Sequence, residues 1–211
     1  MRTTTTLFAL LATLPLGRAS AAQPALPKGL LTLPLTRQAT TYSCAAAALQ
    51  SVLFYWQVYD GGETGLYPAL ETTPKDGTEP PKILEVAKSY GLEASLREHW
   101  TVPELREALK RGETVILDIQ AWRETGSSTP WKDDWEDGHY VVLAGMDAEN
   151  VYLMDPSSAG AYAFMPLAEL EDRWHDYEDR HGAVRRYDHL GIAIRGKKHL
   201  HRVPAGPVRI E

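Results

Sequence analysis

The chain contains one cysteine, Cys44, in the run Tyr42-Ser43-Cys44-Ala45-Ala46-Ala47-Ala48. The alanines are strong helix formers, and Thr40, Thr41 and Ser43 are natural caps, so the thiol is expected at a helix N-terminus. There the positive end of the helix dipole favours the thiolate, the form of cysteine that attacks carbon. Position alone leaves a second reading open, a small buried apolar side chain among alanines. His139 bears on that choice. It stands in Asp137-Gly138-His139-Tyr140-Val141-Val142, at the start of a β-branched run, and Asp155 closes the next such run in Leu153-Met154-Asp155-Pro156. If the two runs pair through residues 145–150, the imidazole and the carboxylate reach the same open end of a sheet. A thiol, a base for its proton and a carboxylate that fixes the base's tautomer are the parts of acyl transfer through a thioester. Gln38, shortly before the thiol, could fold back so that its side-chain amide and a backbone N–H near Cys44 face a developing oxyanion.

The elements that must position these groups can be read from pattern. The cysteine helix is expected to run from 44 to about 59, where Asp60-Gly61-Gly62 stops it, and a Gly, Pro and Thr-rich loop over 61–81 follows. A loop of that length is expected to be a lid or a structureless insertion. Short amphipathic helices are predicted over 81–90 and 102–111, the second opened by Thr101 with Glu104 at capping-box spacing. The period then changes. Residues 114–119, 140–144, 151–154 and 190–194 read as strands, the middle two joined as an antiparallel hairpin, and one more helix is expected over 166–177. Helices gathered in the first half and strands in the second predict an α+β domain, N-terminal helices packed on an antiparallel sheet. Trp56, Trp100, Trp122 and Trp174 are expected as core or near-core anchors.

The segment from Gln38 through Cys44 to Ala47, then Gly138-His139-Tyr140-Val141-Val142 and Asp155-Pro156, resembles the bacteriocin-processing peptidases, papain-like cysteine enzymes that remove double-glycine leader peptides. The likeness spans roughly residues 33 to 170 and matches all four positions in order and spacing. It implies a papain-like fold and assigns oxyanion donor to Gln38, nucleophile to Cys44, general base to His139 and orienter to Asp155. No cofactor is needed for that chemistry, and the implied partner is a peptide or protein substrate. Many members of the family form the N-terminal domain of an ATP-driven exporter. This chain has no six-helix membrane domain and no Gly-x-x-x-x-Gly-Lys-Ser/Thr phosphate loop, so the expectation is a stand-alone enzyme without an ATP-binding domain. Two other readings share the same residues: a catalytically silent peptide-binding module, and a cell-envelope amidase or acyl transferase in which another nucleophile intercepts the thioester.

Composition narrows the setting. The 211 residues, 44% hydrophobic and 24% charged, fit one domain, expected to be monomeric. A lone cysteine excludes an internal disulfide and zinc sites of two or more thiolates, and a net charge of -6 argues against nucleic acid as a partner. Arg2, an apolar run over 7–16 and Ala19-Ser20-Ala21 predict a signal peptide over 1–21, hence a secreted or periplasmic protein. No apolar run is long enough to span a bilayer, so no integral membrane segment is expected in the mature chain. Residues 22–34, rich in proline, are expected as an extended lead-in, and 35–211 as the domain itself, with a basic C-terminal extension from about 185. Just before His139, Trp131, Trp135, Asp137 and Gly138 belong to an aromatic and acidic stretch expected to wall a cleft that favours positive peptides. No metal site is predicted: Asp133, Asp134 and Asp137 lack EF-hand spacing, and His175, His181, His189, His199 and His201 lack ligand spacing and are expected on the surface.

Overall fold

The computed structural model describes residues 24–158, 160–180, 182–200 and 207–209. The predicted signal peptide lies outside the described residues, as do His181 and His201. Helix α1 (Cys44–Tyr55) begins on the cysteine. It stops short of the expected end because Gln57 turns left-handed (φ 57°), which lets Val58 N–H return to the Leu53 carbonyl at 3.1 Å. The loop expected to be a lid or a structureless insertion is organised by short elements. A 3-10 turn over Glu63–Gly65, helix α2 (Tyr67–Leu70) and a Thr73 to Gly77 bridge occupy it, anchored by Leu66 and Leu70, both buried.

Helix α3 (Pro80–Ser89) leads into strand β1 (Glu93–Arg97), and α4 (Val102–Lys110) into β2 (Thr114–Gln120). The capping box on α4 forms as predicted from Thr101 and Glu104. Strands β3 (Gly138–Met146) and β4 (Asn150–Met154) form the expected hairpin, with Val142 opposite Met154. Then follow β5 (Tyr162–Pro166), α5 (Leu167–Arg173), β6 (His175–Arg180), β7 (Ala183–Asp188), β8 (Gly191–Arg195) and β9 (Pro207–Arg209). The helix expected over 166–177 therefore ends at Arg173, and the chain turns into the β6–β7 hairpin. The main sheet runs β1-β8-β2-β3-β4-β5-β9, antiparallel throughout except for the β5–β9 pair. The basic stretch from about 185 thus takes in the later part of β7 and all of β8, and β8 lies inside the sheet between β1 and β2.

Helices α1 and α3 cover one face, where Leu49, Val52, Leu53 and Ile83 pack on Ile116, Val142, Ala144 and Ile192. On the other face α4 and α5 bring Leu105 and Leu170, with Trp174, against Val115, Leu117, Val141 and Leu143. Each fully buried leucine here stabilises the fold by about 2 kcal/mol relative to exposure. The lead-in belongs to the first layer: Leu31 and Leu33 are buried, and Leu31 N–H donates to the Ala144 carbonyl at 2.7 Å. Trp56, Trp100 and Trp174 are buried as expected, whereas Trp122 is 37% exposed. His175 is buried, contrary to its expected surface position, because β6 carries it beneath Trp135, where its Nε2 bonds the Asp134 carbonyl at 2.6 Å.

Candidate active site

Cys44 opens α1 and lines a cleft of about 780 Å³. The first turn of the helix follows a loop held by one buried side chain. Glu63 Oε1 accepts from Ala39 N–H at 2.8 Å, the Ser43 hydroxyl at 2.9 Å and the Tyr67 hydroxyl at 2.6 Å. Ser43 therefore turns to Glu63 rather than capping its own helix. Sequence reasoning missed Glu63, since a glutamate after two glycines reads as solvated.

His139 lies near the start of β3 and Asp155 just beyond β4, both buried, and the hairpin brings them together. His139 Nε2 is 2.7 Å from Asp155 Oδ1. With Nε2 engaged there, Nδ1 is the nitrogen left for the Cys44 thiol. Asp155 has three further donors: Ser157 N–H at 2.8 Å, the Ser158 hydroxyl at 3.1 Å and the Trp122 indole N–H at 3.0 Å. Trp122 just follows β2, and its left-handed backbone (φ 63°) turns the indole back to the carboxylate rather than into the core.

Burial alone would lower the pKa of His139. Hydrogen bonds to Asp155 and Cys44, and the charges of both, outweigh it and push the imidazole up to about 10. For Asp155, burial favours the neutral acid, but the imidazole, Ser157 N–H and Ser158 hydroxyl together hold it below the ordinary carboxylate value.

Gln38 is stitched to the Asp155 turn. Its N–H donates to the Pro156 carbonyl at 3.1 Å, and its side-chain oxygen accepts from the Ser157 hydroxyl at 3.2 Å. One hydrogen of its amide goes to the Thr40 carbonyl at 2.8 Å, which leaves the other. Of the four residues expected to wall the cleft, Trp135 and Gly138 line it beside Cys44. Trp131 does not, because its ring lies against the Arg123 and Arg173 guanidinium groups at 3.9 and 3.6 Å. Asp137 lines an adjoining hollow, its backbone carbonyl taken by Ala121 N–H at 2.9 Å. A Cβ at Gly138 would collide with the Asp176 carboxylate, which would have to move to admit any larger residue. Among the described residues no group of three or more His, Cys, Asp or Glu is placed to hold a metal ion, and no helix is long and apolar enough to cross a membrane.

The family model described as the Peptidase_C39 like family matches residues 30–181. The chain belongs to that family. The C39-like match begins before Gln38 and ends beyond Asp155, so it takes in Cys44 and His139 as well. Solved C39 structures agree with it in fold. A double-glycine-motif protease from an AMS/PCAT transporter, solved with a leader peptide, superposes with a TM-score of 0.55 at 20% identity, covering 83% of this chain and 99% of that one. The peptidase domain of Streptococcus ComA, a bifunctional ABC transporter of a quorum-sensing pathway, gives 0.55 at 19% identity, covering 77% and 98%. A Bacillus anthracis protein described as a C39-like peptidase gives 0.57 at 17% identity, covering 80% and 97%. No curated protein matches the chain. The C39-like chain thus has the papain-like cysteine-peptidase fold expected from its sequence, helices on an antiparallel sheet.

Proposed function

We propose that the protein is an exported cysteine peptidase that hydrolyses peptide bonds in a peptide or protein substrate, with Cys44 as nucleophile, His139 as base and Asp155 as orienter. The observation that carries this reading is the buried 2.7 Å bond from His139 Nε2 to Asp155, which leaves Nδ1 for a thiol at a helix N-terminus. The Cys44 proton rests on His139 Nδ1 before attack, on a ring that holds it to about pH 10, and Cys44 Sγ bonds the scissile carbonyl carbon as the thiolate. The carbonyl oxygen becomes an oxyanion, which the free hydrogen of the Gln38 amide and the backbone N–H of Cys44 are suited to receive. Collapse breaks the C–N bond, and the leaving amine takes the proton from His139. A ring that holds a proton to about pH 10 keeps it until that step. Water, deprotonated by His139, then releases the acid from the thioester. Export rests on the predicted signal over residues 1–21, and the enzyme is proposed as secreted or periplasmic.

The test needs no known substrate. The protein from residue 22 onward is treated with iodoacetamide across a pH series and followed by intact mass, in wild type and His139→Ala. Rapid alkylation well below the free-thiol pKa of about 8.5, lost in the variant, is the expected result. A thiol inert at every pH until the chain unfolds overturns the reading.

A further inference from the structure

The cleft beside Cys44 is acidic. Of the described residues that line it, seven are acids and one, Lys75, is basic, and that lysine is already paired with Asp76 at 2.7 Å. Two of the acids lie deep in it. Asp118, on β2, is 2% exposed, and Asp176, on β6, is packed against Gly138, the residue before His139. Asp176 Oδ1 accepts from the Gln120 amide at 3.0 Å. Asp118 lies in bonding reach of the Asp176 carboxyl and the Tyr140 hydroxyl, but its Oδ1 accepts from nothing.

That contrast is informative. Asp155, equally buried, has four donors, and buried carboxylate oxygens in folded proteins are rarely left bare. Burial, with the charge of Asp176, raises the pKa of Asp118 well above the ordinary range, and burial lifts Asp176 to about 6. The pair therefore keeps a proton that an incoming cation would replace. Asp118 has Asp176 and Tyr140 as neighbours in bonding reach, yet one of its oxygens is left without a donor, and a cation held between the two carboxyl groups on the wall of the open cleft would supply it.

We propose that Asp118 and Asp176 form a specificity subsite for a lysine or arginine side chain of the substrate, whose charged head takes the place of the proton shared by the two carboxyl groups in the cleft that Tyr42 and Trp135 also line. The class of substrate is then a basic peptide. The subsite deepens the peptidase reading and rests on it for its role, but its ligand chemistry stands separately. It also differs from the wall expected from sequence, because the charge that selects comes from β2 and β6, whereas Asp137 faces an adjoining hollow.

Two measurements separate the subsite from the catalysis. In the first, Nα-acetyl-arginine amide and its neutral isostere Nα-acetyl-citrulline amide are titrated calorimetrically into the Cys44→Ala protein. The arginine compound is expected to bind at least tenfold tighter, and Asp118→Asn to bring the two within about twofold. Asp176→Asn serves as a second variant and is expected to act in the same direction. Equal binding of the two compounds by the Cys44→Ala parent overturns the subsite. In the second, wild type digests a mixed peptide library, and the cut sites are read by mass spectrometry. Lysine or arginine concentrated at one fixed position from the cut supports the subsite, and cuts with no basic preference overturn it. Selective arginine binding without any cutting supports the subsite and overturns the peptidase reading instead.

Discussion

Asp155 accepts from an imidazole, a backbone N–H, a hydroxyl and an indole, and this set both fixes the carboxylate and keeps it ionised. Asp155→Asn keeps the shape but loses the charge, so it is expected to lower kcat by about 10²-fold, against at least about 10³-fold for His139→Ala, in a peptide hydrolysis assay. The reverse order would remove Asp155 from the orienting role. Trp122→Phe deletes one donor to a buried carboxylate and is expected to cost about tenfold in kcat with KM little changed. Cys44, His139 and Asp155 were legible because each sits at the end of a recognisable helix or strand, where pattern alone fixes the location. Trp122, Glu63, Asp118 and Asp176 were not. Their roles depend on which groups the fold sets opposite them, and a tryptophan after an apolar strand or an aspartate within one carries no local mark of its partner.

At the scale of elements, Glu63 joins the Gln38 loop, the start of α1 and α2 through a single carboxylate oxygen. Glu63→Ala leaves three donors without that partner and is expected to destabilise the protein by roughly 2–3 kcal/mol in urea unfolding. It is also expected to lower kcat more than it changes KM, whereas Glu63→Gln keeps an acceptor and recovers much of both. A Glu63→Ala protein with unchanged kcat would show that the Gln38 loop holds its position without the clamp. The helices α3 and α4 and the β3–β4 hairpin could be read because proline, a capping box or an unbroken β-branched run marks each. Strand β1 reads Glu93-Ala94-Ser95-Leu96-Arg97, and β7 is exposed at every position but Tyr187. Little in either run is buried, so hydrophobic period gave no signal, and both depend on the strand that fate in the fold sets beside them.

For the whole molecule, the titrating groups of the site all pull stability one way above mild acid. His139 has a folded value of about 10 against an ordinary 6.5. The native state thus holds a proton that the unfolded chain has lost, and its contribution is full below pH 6.5 and disappears as pH rises through about 10. Asp176, raised to about 6, and Asp118, raised further, have the same sign from about pH 4 upward. Asp155, held low, acts oppositely: its contribution is present above the ordinary carboxylate value near 3.8 and is lost as pH falls through its folded one. The urea midpoint is therefore expected to fall from pH 6.5 to 10, and to fall less steeply in His139→Gln. Equal slopes would show that the imidazole does not keep its proton. The position of β8 has a further consequence, in time rather than space. It pairs with β2 from residues 191–195, so the sheet has a gap between β1 and β2 until those residues have been made. A ribosome releases the thiol first, its base and carboxylate much later and the strand that fills the gap between β1 and β2 later still, so the sheet that carries the site is not complete before residue 195 has emerged.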